Sequence, residues 1–114
     1  MEVAVVLKSD PFSWKAIQAY KIACALSLKS SVYFIALKEG VYFLSDWNPE
    51  ELEYENFKQY RCNFSNLKVV IEEDDFRIRN LSKGKLWVEN GDILLLPEEE
   101  IAKILRRCSV VGVW

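Results

Sequence analysis

Short apolar runs alternate with longer mixed segments along the chain. Three of these runs, Glu2 to Lys8, Val32 to Leu37 and Leu67 to Ile71, are rich in β-branched residues and too short for helices. Strands that are apolar at consecutive positions are typical of parallel sheets covered on both faces. We therefore expect these runs to be buried strands, joined in one sheet by Asp92 to Leu96 and Ser109 to Trp114.

The segments between the strands carry helix signals. Trp14 to about Leu28 is rich in helix-forming residues, and Asp10 or Ser13 can cap it. Asn48, followed by Pro49 and two glutamates, is typical of a helix start and predicts a peripheral helix running to about Arg61.

The last predicted helix opens at Pro97 and is the best supported. Acidic residues occupy its first turn and arginines its end, which matches the helix dipole. Its apolar residues fall on one face: Ile101, Ile104, Leu105 and Cys108.

Strands alternating with helices predict an α/β fold. We expect residues 1–114 to form a single domain, a three-layer sandwich with a mostly parallel sheet of about five strands flanked by helices. Asn90-Gly91 between two apolar runs is a hairpin signal, which favours a local antiparallel ribbon at that point.

Composition and charge narrow the range of partners. The chain is 51% hydrophobic and 28% charged, as globular domains are, and it has no apolar run of membrane-spanning length and no basic leader. The expected compartment is the cytoplasm. A net charge of −2 with scattered cations gives no assured phosphate-binding face, so we expect no direct nucleic-acid or membrane partner.

Missing residue types exclude several kinds of chemistry. Without histidine, the chain has no Ser-His-Asp or Cys-His nucleophile and no histidine-ligated metal. The three cysteines, Cys24, Cys62 and Cys108, are far apart and form no CxxC, which disfavours a zinc cage or a dithiol. The glycines form no phosphate-binding loop. We expect neither a metal nor a cofactor.

The most unusual stretch, VVIEEDDFRIRN, runs from the third strand into an acidic corner. Four carboxylates are followed by two arginines: Glu72, Glu73, Asp74, Asp75, Arg77 and Arg79. The corner can hold a hard cation or a small ligand, although adjacent side chains of an extended segment point to opposite faces. The simpler interpretation, which we favour, is structural. Asp74 or Asp75 then caps a helical turn from Phe76 to Asn80, with the arginines offsetting the charge.

This corner resembles that of the DsrE/DsrF/DsrH-like superfamily, and is closest to the DsrH/TusB branch. Glu73 to Arg79 matches that branch's acidic pair followed by apolar and basic residues, with Asn80 in place of the family's glycine. Lys8 to Phe12 is similar to its Lys-Ser-Pro-Phe turn with one residue inserted, and Glu39-Gly40-Val41 to its Asp-Gly-Val. The last residue, Trp114, also agrees with the branch.

The resemblance implies a DsrE-like fold and a role in sulfur transfer. Active DsrE/TusD-like subunits carry a persulfide-forming cysteine near the end of the third strand, where this chain has Glu72. The implied role is therefore that of a non-catalytic subunit in a hetero-oligomeric sulfur-relay complex. Such a complex acts in 2-thiolation of the tRNA wobble uridine or in dissimilatory sulfur oxidation. Its implied partners are DsrE/TusD-like and DsrF/TusC-like subunits and, indirectly, a TusA-like sulfur carrier.

Two other functions stay open. The first is a self-sufficient homo-oligomeric persulfide carrier that uses Cys62, because this cysteine follows Arg61 in a polar connection where exposure and a neighbouring cation favour a thiolate. The second is a homo-oligomeric module with a small ligand at the acidic corner. Every alternative includes an oligomer, since the chain has fifteen aromatic residues and its first helix is apolar nearly all round.

Overall fold

The computed structural model describes residues 2–10, 14–44, 62–63, 65–79 and 93–114. The predicted helix from Asn48 to Arg61, the hairpin at Asn90-Gly91 and the cap candidate Ser13 lie outside these residues. Nine elements follow in chain order within them: β1 Glu2–Leu7, α1 Trp14–Ser27, β2 Ser31–Ala36, a 3₁₀ helix Lys38–Leu44, β3 Leu67–Glu72, α2 Glu73–Ile78, β4 Ile93–Leu96, α3 Glu98–Arg107 and β5 Val110–Val113.

The five strands form one parallel sheet in the order β4-β3-β2-β1-β5. The register through the middle of the sheet places Val5 opposite Phe34 and Phe34 opposite Val69. Each predicted strand agrees with the observed one to within a residue at either end. The predicted fold class, an α/β sandwich built on about five mostly parallel strands, is confirmed.

One face of the sheet packs against α1. Alternate strand residues such as Val5, Phe34 and Val69 point into this layer, where they meet small residues of the helix. The ring of Tyr20 lies edge-on to Phe34, with centroids 6.0 Å apart, and Phe43 of the 3₁₀ helix lies 5.8 Å from Tyr20. Small helix residues allow close approach to the sheet, and the aromatic rings fill the remaining space.

The opposite face packs against α3. Ile101 and Ile104 are buried there, while Leu105 and Cys108 pack partly buried beside them. These four residues are the apolar stripe that the sequence predicts. The acidic first turn and the basic last turn of α3 are also confirmed, so the third layer of the sandwich is present.

Helix α1 buries only one of its sides. Ala16, Ala19 and Ala23 are completely buried against the sheet, whereas Lys15, Gln18 and Lys21 are exposed. The outer side of α1 therefore carries long polar side chains together with Trp14, which is 66% exposed. The expected oligomer stays a prediction.

Strand β5 offers a different kind of surface. It lies at one edge of the sheet, and its side chains Val110, Val111 and Val113 are all exposed. Among the described helices, none is long and apolar enough to cross a membrane. The edge strand thus presents an apolar surface.

The 3₁₀ helix covers the carboxyl end of β1. The amide N–H of Leu37 donates to the carbonyl oxygen of Leu7 at 2.9 Å, and Gly40 lies directly over that same carbonyl. A Cβ atom at position 40 would overlap the Leu7 carbonyl oxygen. Glycine is required here because the two backbones approach so closely.

Candidate functional site

The acidic corner lies at the carboxyl edge of the sheet, where β3 passes directly into α2. Glu72 is the last residue of β3 and also the N-cap of α2, and its carboxylate accepts a hydrogen bond from the backbone N–H of Asp75. The prediction that Asp74 or Asp75 caps a turn from Phe76 to Asn80 is wrong. The helix begins at Glu73, with no intervening loop, so the cap falls on the residue that ends the strand.

Asp75 connects the corner to the segment that follows β2. Its carboxylate accepts from the backbone N–H of Lys38 at 2.8 Å and lies 3.3 Å from the guanidinium of Arg79. Lys38 has a φ of 53°, and it is the one non-glycine residue in the described part of the chain with a positive φ. A lysine in the left-handed region is unfavourable by about 1 kcal/mol. The Asp75 carboxylate holds it there.

Arg79 completes this network as a bridge between two carboxylates. One of its terminal nitrogens lies 2.8 Å from Glu39, and the other contacts Asp75. The hydrogen bond that Arg79 donates to Glu39 is the main cause that raises the pKa of the Arg79 guanidinium. Arg79 therefore offsets the negative charge of Asp75, which belongs to the corner, and that of Glu39.

The remaining charged residues of the corner face solvent. Glu73 is exposed, and Asp74 pairs with Arg77 at 2.7 Å while both side chains are largely exposed. The four acids therefore divide into an inner pair, Glu72 and Asp75, and an outer pair. No group of three or more acidic or cysteine side chains that could hold a metal ion occurs in the described residues.

A cavity of about 400 Å³ adjoins the inner pair. Its polar wall includes Glu72, Asp75, Glu98 and Lys38, and its apolar wall includes Ile101 and Leu105 of α3. Both inner carboxylates accept backbone hydrogen bonds and so already have structural partners. The small-ligand function at this corner stays a prediction.

A second cluster lies at the opposite, amino edge of the sheet. Cys24, in α1, is buried in the core, and Cys62, ahead of β3, packs against the same cluster of side chains. Both cysteines, distant in the sequence, lie beside Ser27 because α1 packs against the segment that leads into β3. Cys62 is also half-buried and packs against the core, not exposed as the sequence suggested. Arg61, its predicted cationic neighbour, lies outside the described residues.

Ser27 fixes the geometry around these two thiols. Its hydroxyl donates to the carbonyl oxygen of Cys24 at 2.6 Å, accepts from the backbone N–H of Asn63 at 2.9 Å and lies 3.5 Å from the sulfur of Cys62. Asn66 adds a side-chain hydrogen bond to the Ser27 carbonyl at 2.9 Å. These contacts tie the segment before β3 to the last turn of α1.

The pKa values of the two thiols are shifted in opposite directions. Donation from Cys24 lowers the pKa of Cys62 from the ordinary 9.0 to about 7, with a smaller contribution from Ser27. The same interaction, together with burial, raises the pKa of Cys24, and burial raises the pKa of its neighbour Tyr20. Cys62 is therefore the more acidic of the two thiols.

Comparison with known proteins does not assign this chain to a family. No protein-family model matches the chain, and no curated protein matches it. The resemblance to the DsrH/TusB branch therefore stays a prediction carried by short motifs.

Cys108 provides a contrast within the same chain. It caps the carboxyl end of α3 and packs partly buried against the other face of the sheet. Burial is the main cause that raises its pKa, and the nearby Glu2 carboxylate acts in the same direction. Cys108 therefore lacks the thiolate character that Cys62 gains from its partner.

Sequence reasoning identified Cys62 but missed the residues that act on it. Ser27 stands near the end of a predicted helix, where a hydroxyl is a common local hydrogen-bonding group. That signal marks the helix end and gives no information about the distant segment that the hydroxyl contacts. Lys38 was missed at the other edge for a similar reason, because its backbone conformation depends on Asp75.

Proposed function

We propose that this chain is a non-catalytic subunit of a hetero-oligomeric sulfur-relay complex, similar to the DsrH/TusB branch. The α/β fold with a parallel sheet is compatible with that superfamily. The observation that carries the proposal is the state of Glu72, which stands where the active subunits of the resembling family have their persulfide-forming cysteine.

Glu72 has a structural role at this position. Its side chain is buried, with a residue exposure of 7%, and its carboxylate is engaged in capping α2. A carboxylate does not form a persulfide, and this one is also held away from solvent. In the proposed complex a DsrE/TusD-like partner supplies the sulfur-accepting cysteine, while this chain supplies shape and interface.

The edge strand β5 supports an assembly. An edge strand presents unpaired backbone groups, and proteins ordinarily protect such strands with charged residues or with a covering element. Here the exposed residues Val110, Val111 and Val113 are apolar. We assign this edge as the contact surface for another subunit.

The test is native mass spectrometry after treatment with a polysulfide donor. The chain is measured alone and co-expressed with the products of its neighbouring genes. We expect a mixed complex in which the added sulfur mass appears on a partner subunit. A chain that assembles only with itself and carries the sulfur mass contradicts the proposal.

The second candidate is a self-sufficient persulfide carrier that uses Cys62. The lowered pKa of Cys62 favours it, because a thiolate near neutral pH is the form that attacks sulfane sulfur. If this function is correct, Cys62→Ser abolishes sulfur uptake by the isolated chain and Cys108→Ser leaves it unchanged. Cys24→Ala is measured in parallel, so that a persulfide on Cys62 is not lost to the adjacent thiol.

A further inference from the structure

The cavity between α2 and α3 has no role in a relay subunit that supplies only shape and interface. Its volume of about 400 Å³ is in the range of small-molecule sites, and it lies at the carboxyl edge of the parallel sheet, where α/β folds bind ligands. Neighbouring strands bring two glutamates to it. Glu72 is paired with Leu96 in the register of β3 and β4, and Glu98 follows two residues later. Both glutamates line the cavity.

The fold uses only one oxygen of the buried Glu72 carboxylate. Oε2 accepts from the backbone N–H of Asp75, whereas no described residue donates a hydrogen bond to Oε1. Among the described residues, the one fully enclosed side-chain oxygen without a hydrogen bond belongs to Glu2, so Oε1 of Glu72 keeps access to the cavity. A residue with only 7% exposure thus directs an unpaired acceptor into that space. Buried acceptors ordinarily have a donor, and a ligand can supply this one.

The charges around the cavity favour a cation. Among the described residues that line it, four carry a carboxylate and Lys38 alone carries an ammonium group. Asp74 and Asp75 are each paired with an arginine. Glu72 and Glu98 form no ion pair with any described residue, and the exposed side chain of Lys38 pairs with neither of them. The unneutralised charge at the cavity is therefore that of the two glutamates.

We propose that this cavity binds a small organic cation, an ammonium group attached to an apolar body. The ammonium group donates to Oε1 of Glu72 and is attracted by Glu98. The apolar body packs against the wall that includes Leu37, Ile101 and Leu105. This inference goes beyond the proposed function and is tested on the isolated chain, since it requires neither a partner subunit nor sulfane sulfur.

Two other ligand classes fit the cavity less well. A metal ion requires several convergent oxygen ligands, and the described residues contain no group of acidic or cysteine side chains that could hold one. An organic anion is attracted to the amino end of a helix, but three glutamates occupy the first turn of α3 and repel it. The apolar wall beside a carboxylate instead matches a ligand with one charged end.

The experiment titrates the isolated, ¹⁵N-labelled chain with n-hexylamine at neutral pH and physiological salt and follows the amide resonances by NMR. The amine is protonated under these conditions, as lysine is. n-Hexanol and hexanoate are the matched compounds, with the same chain and a neutral or an anionic head. We expect saturable shifts at Leu37, Ile101 and Ala102. Both matched compounds should bind at least about tenfold more weakly, the ratio that a hydrogen bond to a charged group provides.

Three variants locate the binding. Glu72→Gln removes the charge but keeps an oxygen for the N–H of Asp75, and it is expected to weaken n-hexylamine binding about tenfold or more. Glu73→Gln is the matched control, because this neighbouring glutamate is exposed and does not line the cavity. It is expected to change the affinity by less than about twofold. Ala102→Leu narrows the apolar wall and is expected to weaken n-hexylamine and n-hexanol alike.

Three results would overturn the inference. The first is n-hexanol or hexanoate binding as tightly as n-hexylamine. The second is the absence of saturable shifts at the cavity residues of the folded native chain. The third is an equal effect of Glu72→Gln and Glu73→Gln, which indicates unspecific attraction to surface carboxylates. Circular dichroism verifies folding of the variants. If Glu72→Gln does not fold, the ranking of the three compounds on the native chain and on Ala102→Leu decides the question.

Discussion

Neighbouring carboxylates in the acidic corner offer a direct test of its structural role. Asp74 and Asp75 stand in the same first turn of α2, so alanine removes a similar helix-dipole interaction from each. They differ in their surroundings, because Asp75 is buried with 9% exposure while the side chain of Asp74 is 64% exposed. The paired variants Asp75→Ala and Asp74→Ala therefore separate a structural carboxylate from a solvated one.

The expected magnitudes follow from the contacts. Asp75→Ala removes the charged acceptor of the Lys38 amide, which costs about 1.5–3 kcal/mol. Loss of the contact with Arg79 adds less than about 1 kcal/mol, because this arginine keeps Glu39 as a partner. The sum is about 1.5–4 kcal/mol. Asp74→Ala breaks only a solvent-exposed pair with Arg77, which is worth less than about 1 kcal/mol.

The assay is urea unfolding followed by circular dichroism, with the midpoints compared at a common slope. Asp75→Asn is the intermediate control, because it removes the charge but keeps a side-chain oxygen that can accept from Lys38. We expect the loss of stability to rank Asp75→Ala above Asp75→Asn and Asp75→Asn above Asp74→Ala. Equal losses at positions 74 and 75, or a gain of stability in Asp75→Ala, would refute the structural role. A gain would instead indicate carboxylates crowded together for binding.

Three further variants test other parts of the structure. Glu72→Ala removes the α2 cap and is expected to cost about 1 kcal/mol in the same unfolding assay, and no loss would disprove the capping role. Gly40→Ala forces a Cβ atom onto the Leu7 carbonyl and is expected to cost about 1–3 kcal/mol or more, so wild-type stability would contradict the close approach. Alkylation of Cys62 should reach half its maximal rate near pH 7, because a lowered pKa moves the thiolate to lower pH. The midpoint should rise in Cys24→Ala, and an unchanged midpoint would exclude the hydrogen bond as the cause.

Most of the sheet could be predicted from the sequence. Buried parallel strands must be apolar on both faces, so β1, β2 and β3 appear as uninterrupted apolar runs with recognisable ends. Helix α3 was equally clear, because its apolar stripe and its charged ends are local properties. The outer side of α1 was harder to predict, because it combines exposed polar residues such as Lys15 with the exposed Trp14.

The candidate sites were harder to predict because they depend on contacts between distant segments. Glutamate is not among the favoured N-cap residues, so the sequence drew attention to the aspartates and away from Glu72. Cys24 and Cys62 both lie beside Ser27 only because the end of α1 packs against the segment before β3. Nothing in the spacing of these cysteines encodes that encounter.

Strand β3 separates the two clusters. It runs from Leu67, just after the thiol-bearing segment, to Glu72 in the acidic corner. This is about 16 Å at the usual rise per residue, and it exceeds the screening length of about 8 Å at physiological salt. Substitutions at opposite ends share no partner at this distance, so their free energies should add. A substitution that changes the reactivity of the thiols should thus leave the stability contribution of the acidic corner unaltered.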